Sequence, residues 1–254
     1  MPAGGFRFER PVIPNGYAWW YLDALSDDGR HGLTLIAFIG SVFSPFYAWA
    51  RRRGPADPAN FCAVNVALYG PARRWAMTER GRGCLERGES WLRIGRSALA
   101  WDGTALTVSI DETGAPLPCR IKGMLRVLPE AVEGRAILLD PAGRHRWSPI
   151  APCARIEVSL DRPALAWAGG AYCDTNAGDV PLEEDFASWH WSRAPVRGGT
   201  AVFYDVTLRD GTERAVALRY DRGGGAAELP PPPVAALPST RWRIARAPRN
   251  VLSR

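Results

Sequence analysis

The sequence predicts an all-β chain on three observations. Short runs rich in aromatic and β-branched residues recur at close spacing, clusters of Gly, Asp, Asn, Ser and Pro punctuate them, and helical periodicity is scarce. With 254 residues, 46% of them hydrophobic, the chain is long enough to bury a core in one large domain or two small ones. Because the rhythm of strand signals repeats in the second half, the reading is two barrel-like halves, 1–125 and 126–254, the second carrying the candidate chemistry.

In chain order, YAWWYLDAL at 17–25 and LTLIAFIG at 33–40 flank the turn cluster SDDGRHG and predict a hairpin. The second run is apolar on both faces, which suits a strand covered on both sides. SPFYAWARRRG at 44–54 predicts a short helical turn. Its three arginines suit the cation-favouring C-terminus of a helix, and a second reading makes the segment a dock for an anionic membrane. FCAVNVALYG, SALAWDGTALTVSIDE and CRIKGMLRVLP continue the strands, with Trp101-Asp102-Gly103-Thr104 as a hairpin turn. RAILLDPAGRHRWSPIAP places a Pro-Ala-Gly turn between strand-like runs, and Ile156 to Leu160 alternate. PLEEDFASW at 181–189 predicts a helix, and Asp210-Gly211 a clear hairpin turn. RGGGAAELPPPPVAALP predicts a stiff extended connection, and TRWRIARAP a last edge strand.

Composition narrows the function. The net charge of +6 comes almost wholly from arginine, Lys122 being the one lysine, and no nucleic-acid motif accompanies it, so a nucleic-acid partner is not expected. Five cysteines, at 62, 84, 119, 153 and 173, lack any CxxC pair and read as reduced residues. The start has no apolar signal core, and the longest apolar stretch, 32–50, is broken by Gly40, Ser41, Ser44 and Pro45. The expectation is a cytoplasmic chain. No nucleophile elbow, Walker loop or dinucleotide fingerprint occurs, and His31 and His190 lack metal-ligand spacing, so neither cofactor nor metal is expected.

Residues 167–191, WAGGAYCDTNAGDVPLEEDFASWHW, crowd aromatics, carboxylates, glycines and a histidine without a period. On a strand, Tyr172 and Asp174 share a face, and His145 and Trp147 repeat that spacing upstream. Two such strands offer titratable groups and aromatics to one surface, the minimum for acid–base chemistry in an apolar site. Asp174 in an aromatic lining of Trp147, Tyr172 and Trp167 would hold its proton near neutral pH and act as a general acid. Equally, Asp174-Thr175-Asn176 can open a turn before Gly178. His145 can take a proton from water or hold Asp174 in its protonation state, or be a rim residue. Trp147 can face a carbocation or simply anchor packing.

The runs GYAWWYLDALSDDGRHGLTLIAFIGSVFSPFYAWARRRG, FCAVNVALYG, RWAMTERG, AGRHRWSPIAP, AYCDTNAGDVPLE and WHWSRA resemble the carotenoid 1,2-hydratase family, also called hydroxyneurosporene synthases, over about 14–247. The resemblance implies a pair of lipocalin-like β-barrels packed together. It also implies cofactor-free addition of water across the terminal C1–C2 double bond of acyclic carotenoids such as neurosporene and lycopene. Its HxW and YxD motifs fall here on His145, Trp147, Tyr172 and Asp174, the expected catalytic residues. Ala171 stands where the family has glycine and Cys173 where leucine is typical; on an alternating strand Cys173 faces away from the site. Trp167, Trp189, Trp191, Trp20 and Phe38 are expected to line the substrate. The rival functions are a non-catalytic carrier of carotenoid or lipid, and a pericyclase on the same double-barrel scaffold.

Overall fold

The computed structural model describes residues 4–114, 118–235, 238 and 249. In chain order they form β1 (Tyr17–Ser26), β2 (Gly32–Ile39), α1 (Pro45–Arg51), β3 (Cys62–Tyr69), β4 (Arg74–Arg80), β5 (Leu85–Arg87), β6 (Trp91–Ile94), β7 (Ser97–Trp101) and β8 (Leu106–Thr113). There follow β9 (Arg120–Pro129), β10 (Ile137–Leu138), β11 (His145–Arg162), β12 (Ala164–Gly178), α2 (Leu182–Asp185), β13 (Phe186–Val196), β14 (Gly199–Leu208), β15 (Glu213–Asp221) and β16 (Ala226–Glu228). The chain is all-β, as its turn-punctuated pattern predicts.

Two compact units divide at Pro181/Leu182. The expected boundary at 125/126 falls instead inside β9, in the middle of one sheet, and His145, Trp147, Tyr172 and Asp174 all belong to the first unit. No local composition marks 125 as a linker; the strand rhythm that suggested two equal halves runs through it.

The first unit is a nearly closed antiparallel barrel, its strands in the order β4-β3-β2-β1-β12-β11-β9-β8-β7-β6-β5, with β10 paired to β11. Side chains link β4 across the gap: Arg80 donates to buried Glu112 on β8 at 2.7 Å, and Arg74 donates to the Arg120 carbonyl at 2.7 Å. Alternate residues fill the interior, among them Leu35, Val64, Val108, Leu125 and Ile156, which is the period-2 rule of a strand with one face to the core. β11 is interrupted by register shifts between Pro149, Ala151 and Ala154. Pro149 and Pro152 carry no N–H for the ladder, so the strand bulges where they occur.

The hairpins at 26–32, 101–106 and 208–213 form as the turn residues require. α1 forms because Ser44 caps it, its Oγ accepting from the Tyr47 N–H at 2.9 Å, with proline in the first turn. In the second unit, β13-β14-β15-β16 make one antiparallel sheet over Ala201, Phe203 and Ala217. The described residues there form this four-stranded sheet where a second barrel was expected. The helix read at 181–189 ends at Asp185, because Phe186 onward pairs with β14. Residues 226–228, read as an extended connection, add a short strand to β15. The edge strand read in TRWRIARAP lies outside the described residues.

Candidate active site

β11 and β12 lie side by side with Trp147 opposite Asn176 and His145 opposite Gly178. β1 flanks β12 on its other edge, with Tyr21 opposite Asp174 and Asp23 opposite Tyr172. Directly opposed residues of antiparallel strands share a face. Tyr172, Asp174 and Asn176 therefore share one wall with Trp147, His145, Tyr17, Trp19, Tyr21 and Asp23. This wall is the outer face of the barrel sheet, because the intervening Ala171 and Cys173 belong to the barrel core. Cys173 thus faces away from the site, as alternation predicts. The wall is nonetheless buried: Tyr172, Trp147 and His145 have no exposed surface, and Asp174 is 3% exposed. Asp174 and Asn176 continue β12 to Gly178, which removes the reading of this segment as a turn.

Asp174 is the centre of the arrangement. Its Oδ2 accepts two hydrogen bonds, from the Trp147 indole N–H at 2.8 Å and from the Tyr172 hydroxyl at 2.9 Å. Its Oδ1 has no hydrogen-bond partner among the described residues. Burial pushes the carboxyl up from its ordinary 3.8 to about 7; the two donors oppose that rise, and the charge of Asp23 adds to it. Since Oδ2 is occupied as an acceptor by both donors, a proton on this carboxyl sits on Oδ1. Below a pH of about 7 the neutral form is favoured, and Oδ1 is the oxygen open to carry its proton.

The polar edges of Trp147 and Tyr172 hold Asp174. Tyr172 also meets Tyr21 edge to face, with centroids 6.4 Å apart, and the Tyr21 hydroxyl donates to Asp23 at 3.2 Å. His145 stands apart from the carboxyl. It lies four residues along the strands from the Asp174 row, about 13 Å at the rise of a β-strand. That separation does not suit the expected direct control of Asp174 protonation. Its Nδ1 meets the Tyr17 hydroxyl at 2.8 Å, its ring stacks on Tyr17, and its backbone N–H donates to Asp140 Oδ1 at 2.7 Å. Gly178 makes this possible: a Cβ there would lie 2.3 Å from the Tyr17 ring.

The five expected lining residues separate. Phe38 sits opposite Trp19 on β2 and shares the site's wall. Trp20 points to the other face, into the barrel core against Phe8, its indole N–H donating to the Arg7 carbonyl at 3.1 Å. Trp167, opposite Val158 on β12, also packs on the core side and does not line Asp174. Trp189 and Trp191 belong to β13 of the second unit, where Trp189 stacks on Tyr204. Tyr17, Trp19, Tyr21, Asp23 and Asn176 were missed. The alternation Tyr17-x-Trp19-x-Tyr21-x-Asp23 was their signal in the sequence. Among the described residues no three His, Cys, Asp or Glu side chains group as metal ligands.

The fold and this wall define a β-barrel protein with a buried carboxyl set among aromatic rings on its outer face. Within that class the particular family follows from comparison with known proteins. The chain belongs to the family described as carotenoid hydratase CrtC, whose profile matches residues 35–251. It is 58% identical to an acyclic carotenoid 1,2-hydratase of Thiocapsa roseopersicina over 247 residues, 96% of this chain and 61% of the relative. It is 53% identical to an acyclic carotenoid 1,2-hydratase of Rubrivivax gelatinosus over 253 residues, 97% of this chain and 62% of the relative. The chain thus spans about three fifths of the length of these two relatives. Among solved structures, a Nitrosomonas europaea protein assigned as AttH has a similar fold: TM-score 0.62 at 15% identity, over 96% of this chain and 80% of that one.

Proposed function

We propose that the chain is a carotenoid 1,2-hydratase that adds water to the terminal C1–C2 double bond of acyclic carotenoids such as neurosporene and lycopene, without a cofactor. The single observation that carries this reading is the buried Asp174 carboxyl, with two donors on Oδ2 and none on Oδ1. An alkene needs a desolvated donor that still holds its proton near neutral pH, and a trisubstituted one is protonated at its less substituted carbon. Asp174 gives the Oδ1 proton to C2, and the π pair that forms the new C–H bond leaves a tertiary cation at C1. The negative charge left on the carboxylate is held by the Trp147 and Tyr172 donors, which strengthen as that charge appears. Water attacks C1, its oxygen forms the C–O bond, and the proton it releases returns to the carboxylate. The aromatic wall of Trp19, Tyr21 and Phe38 excludes other water. His145, stacked on Tyr17, fixes the far end of this aromatic wall. The names of the close relatives supply the substrate class.

The test is turnover of lycopene or neurosporene dispersed in detergent, run anaerobically, with chelator, in deuterated water. The expected product is the tertiary alcohol at C1 with one deuterium at C2 and oxygen from water. Oxygen drawn from O₂, a requirement for an added metal or flavin, or binding with no turnover would refute it.

A further inference from the structure

The segment between β2 and β3 presents a surface that the proposed chemistry does not use. Tyr47 fastens α1 to the barrel: it is fully buried, stacks on Phe61 with centroids 4.7 Å apart, and donates to the Gly16 carbonyl at 2.7 Å. With Tyr47 turned inward, Phe46 and Trp49 are turned to solvent, 68% and 53% exposed, and Phe43 beside the cap is 56% exposed. Three large exposed aromatics gathered on one short segment mark an interaction site. Three arginines follow directly. Arg51 lies over the Tyr47 ring at 4.2 Å and Arg53 over the Trp49 ring at 3.3 Å, so positive charge is held against the aromatic patch. No Asp or Glu occurs between Asp28 and Asp57, and Asp57 is engaged by Arg82 at 2.9 Å. A face both aromatic and cationic, on a segment whose own sequence carries no acid, is complementary to a surface that is apolar beneath and anionic on top.

We propose that residues 43–53 dock the protein on an anionic phospholipid bilayer, Phe43, Phe46 and Trp49 entering the headgroup zone and Arg51, Arg52 and Arg53 meeting the phosphates. The docking face is also joined to the buried wall. Phe43 meets Phe38 edge-on at 5.6 Å, Phe38 meets Trp19 at 6.1 Å, Trp19 stacks on Tyr17 at 5.1 Å, and Tyr17 stacks on His145 at 5.9 Å. This run of ring contacts joins the docking face to the wall that carries the site, an arrangement that suits delivery of an apolar polyene from the bilayer. The delivery role rests on the hydratase reading; the docking does not.

The experiment is co-sedimentation of the full chain with vesicles of phosphatidylglycerol and phosphatidylcholine in equal parts, and with phosphatidylcholine alone. Binding is expected to the anionic vesicles and to weaken as salt rises. Arg52→Gln with Arg53→Gln should weaken it roughly 25-fold, about fivefold per arginine. Phe46→Ser and Trp49→Ser should each weaken it on the order of tenfold. All four positions carry solvent-facing side chains, so circular dichroism should show wild-type folding. Turnover from detergent should be unchanged in these variants while turnover from vesicles falls with binding. Vesicle binding by a chain that leaves detergent-dispersed carotenoid untouched would support docking and refute hydration. Equal binding to both vesicle types, no effect of the substitutions, or a dimer that Phe46→Ser dissolves while vesicles are ignored would overturn the proposal.

Discussion

Replacing Asp174 by asparagine separates the chemical role of the carboxyl from its cost to the fold. The carboxyl is pushed from 3.8 to about 7 by burial. Between those values the folded chain binds more protons than the unfolded one, so wild-type stability falls as pH rises through this window and reaches its floor above pH 7. At about 1.4 kcal/mol per pH unit, a rise of this size costs the fold about 4 kcal/mol at pH 8. The amide carries no charge, and its oxygen still accepts from Trp147 and Tyr172. Its NH₂ replaces an oxygen without a hydrogen-bond partner, which costs about 1–3 kcal/mol. Asp174→Asn is therefore expected to be more stable than the wild type by about 1–3 kcal/mol at pH 8, raising Tm by about 2–4 °C per kcal/mol. Below pH 4, where the carboxyl is neutral in both states, only the amide penalty remains and the variant should be the less stable of the two by about 1–3 kcal/mol. Over the same range turnover should fall by about 10²- to 10⁴-fold, because an amide has no proton to give. Thermal melts from pH 4 to 8, with product analysis on the same samples, measure both. An Asn variant that is less stable than wild type at pH 8, or that turns over at near-wild-type rate, refutes the reasoning.

Three further substitutions read the same site. Tyr172→Phe removes a donor that holds the Asp174 pKa down, so the alkaline limb of the pH–rate profile should move above about 7 even as the rate falls; a shift to lower pH would contradict the assignment. Asp23→Asn removes the like charge that raises Asp174, and the same limb should move to lower pH, with the acid form lost earlier. Gly178→Ala would put a methyl 2.3 Å from the Tyr17 ring. It should displace Tyr17 from His145 and cost about 1–3 kcal/mol by overpacking, with impaired turnover, as denaturant titration and kinetics can establish.

The strands were legible because their turns were explicit, as at Asp102-Gly103 and Asp210-Gly211, and because alternation of period 2 survives in the sequence wherever a single face is buried. The same rule made the site legible: HxW and YxD each place two side chains on one face, and the register brings those faces together. Which face a given tryptophan takes was not legible in the pair Trp19-Trp20. Both neighbours are large and aromatic, and a shift of one residue exchanges the barrel core for the outer wall. Trp167 was misplaced for the same reason, being of the same parity as Cys173 rather than Asp174. The boundary at Pro181/Leu182 was hidden because β9 carries strand signals straight through 125, while the true junction sits in an acidic stretch that reads as a helix. The fourteen-residue overlap of β11 and β12 that sets the site is a long-range pairing, and no local pattern specifies its register.

The proposed chemistry requires that Asp174 hold its proton in the folded protein up to a pH near 7. Infrared difference spectroscopy between wild type and Asp174→Asn, taken from pH 5 to 9, observes that carboxyl directly through its protonated C=O stretch. A protonated-acid band is expected at pH 5 to 6, titrating away with a midpoint near 7. A carboxylate signal already complete at pH 5 would contradict it.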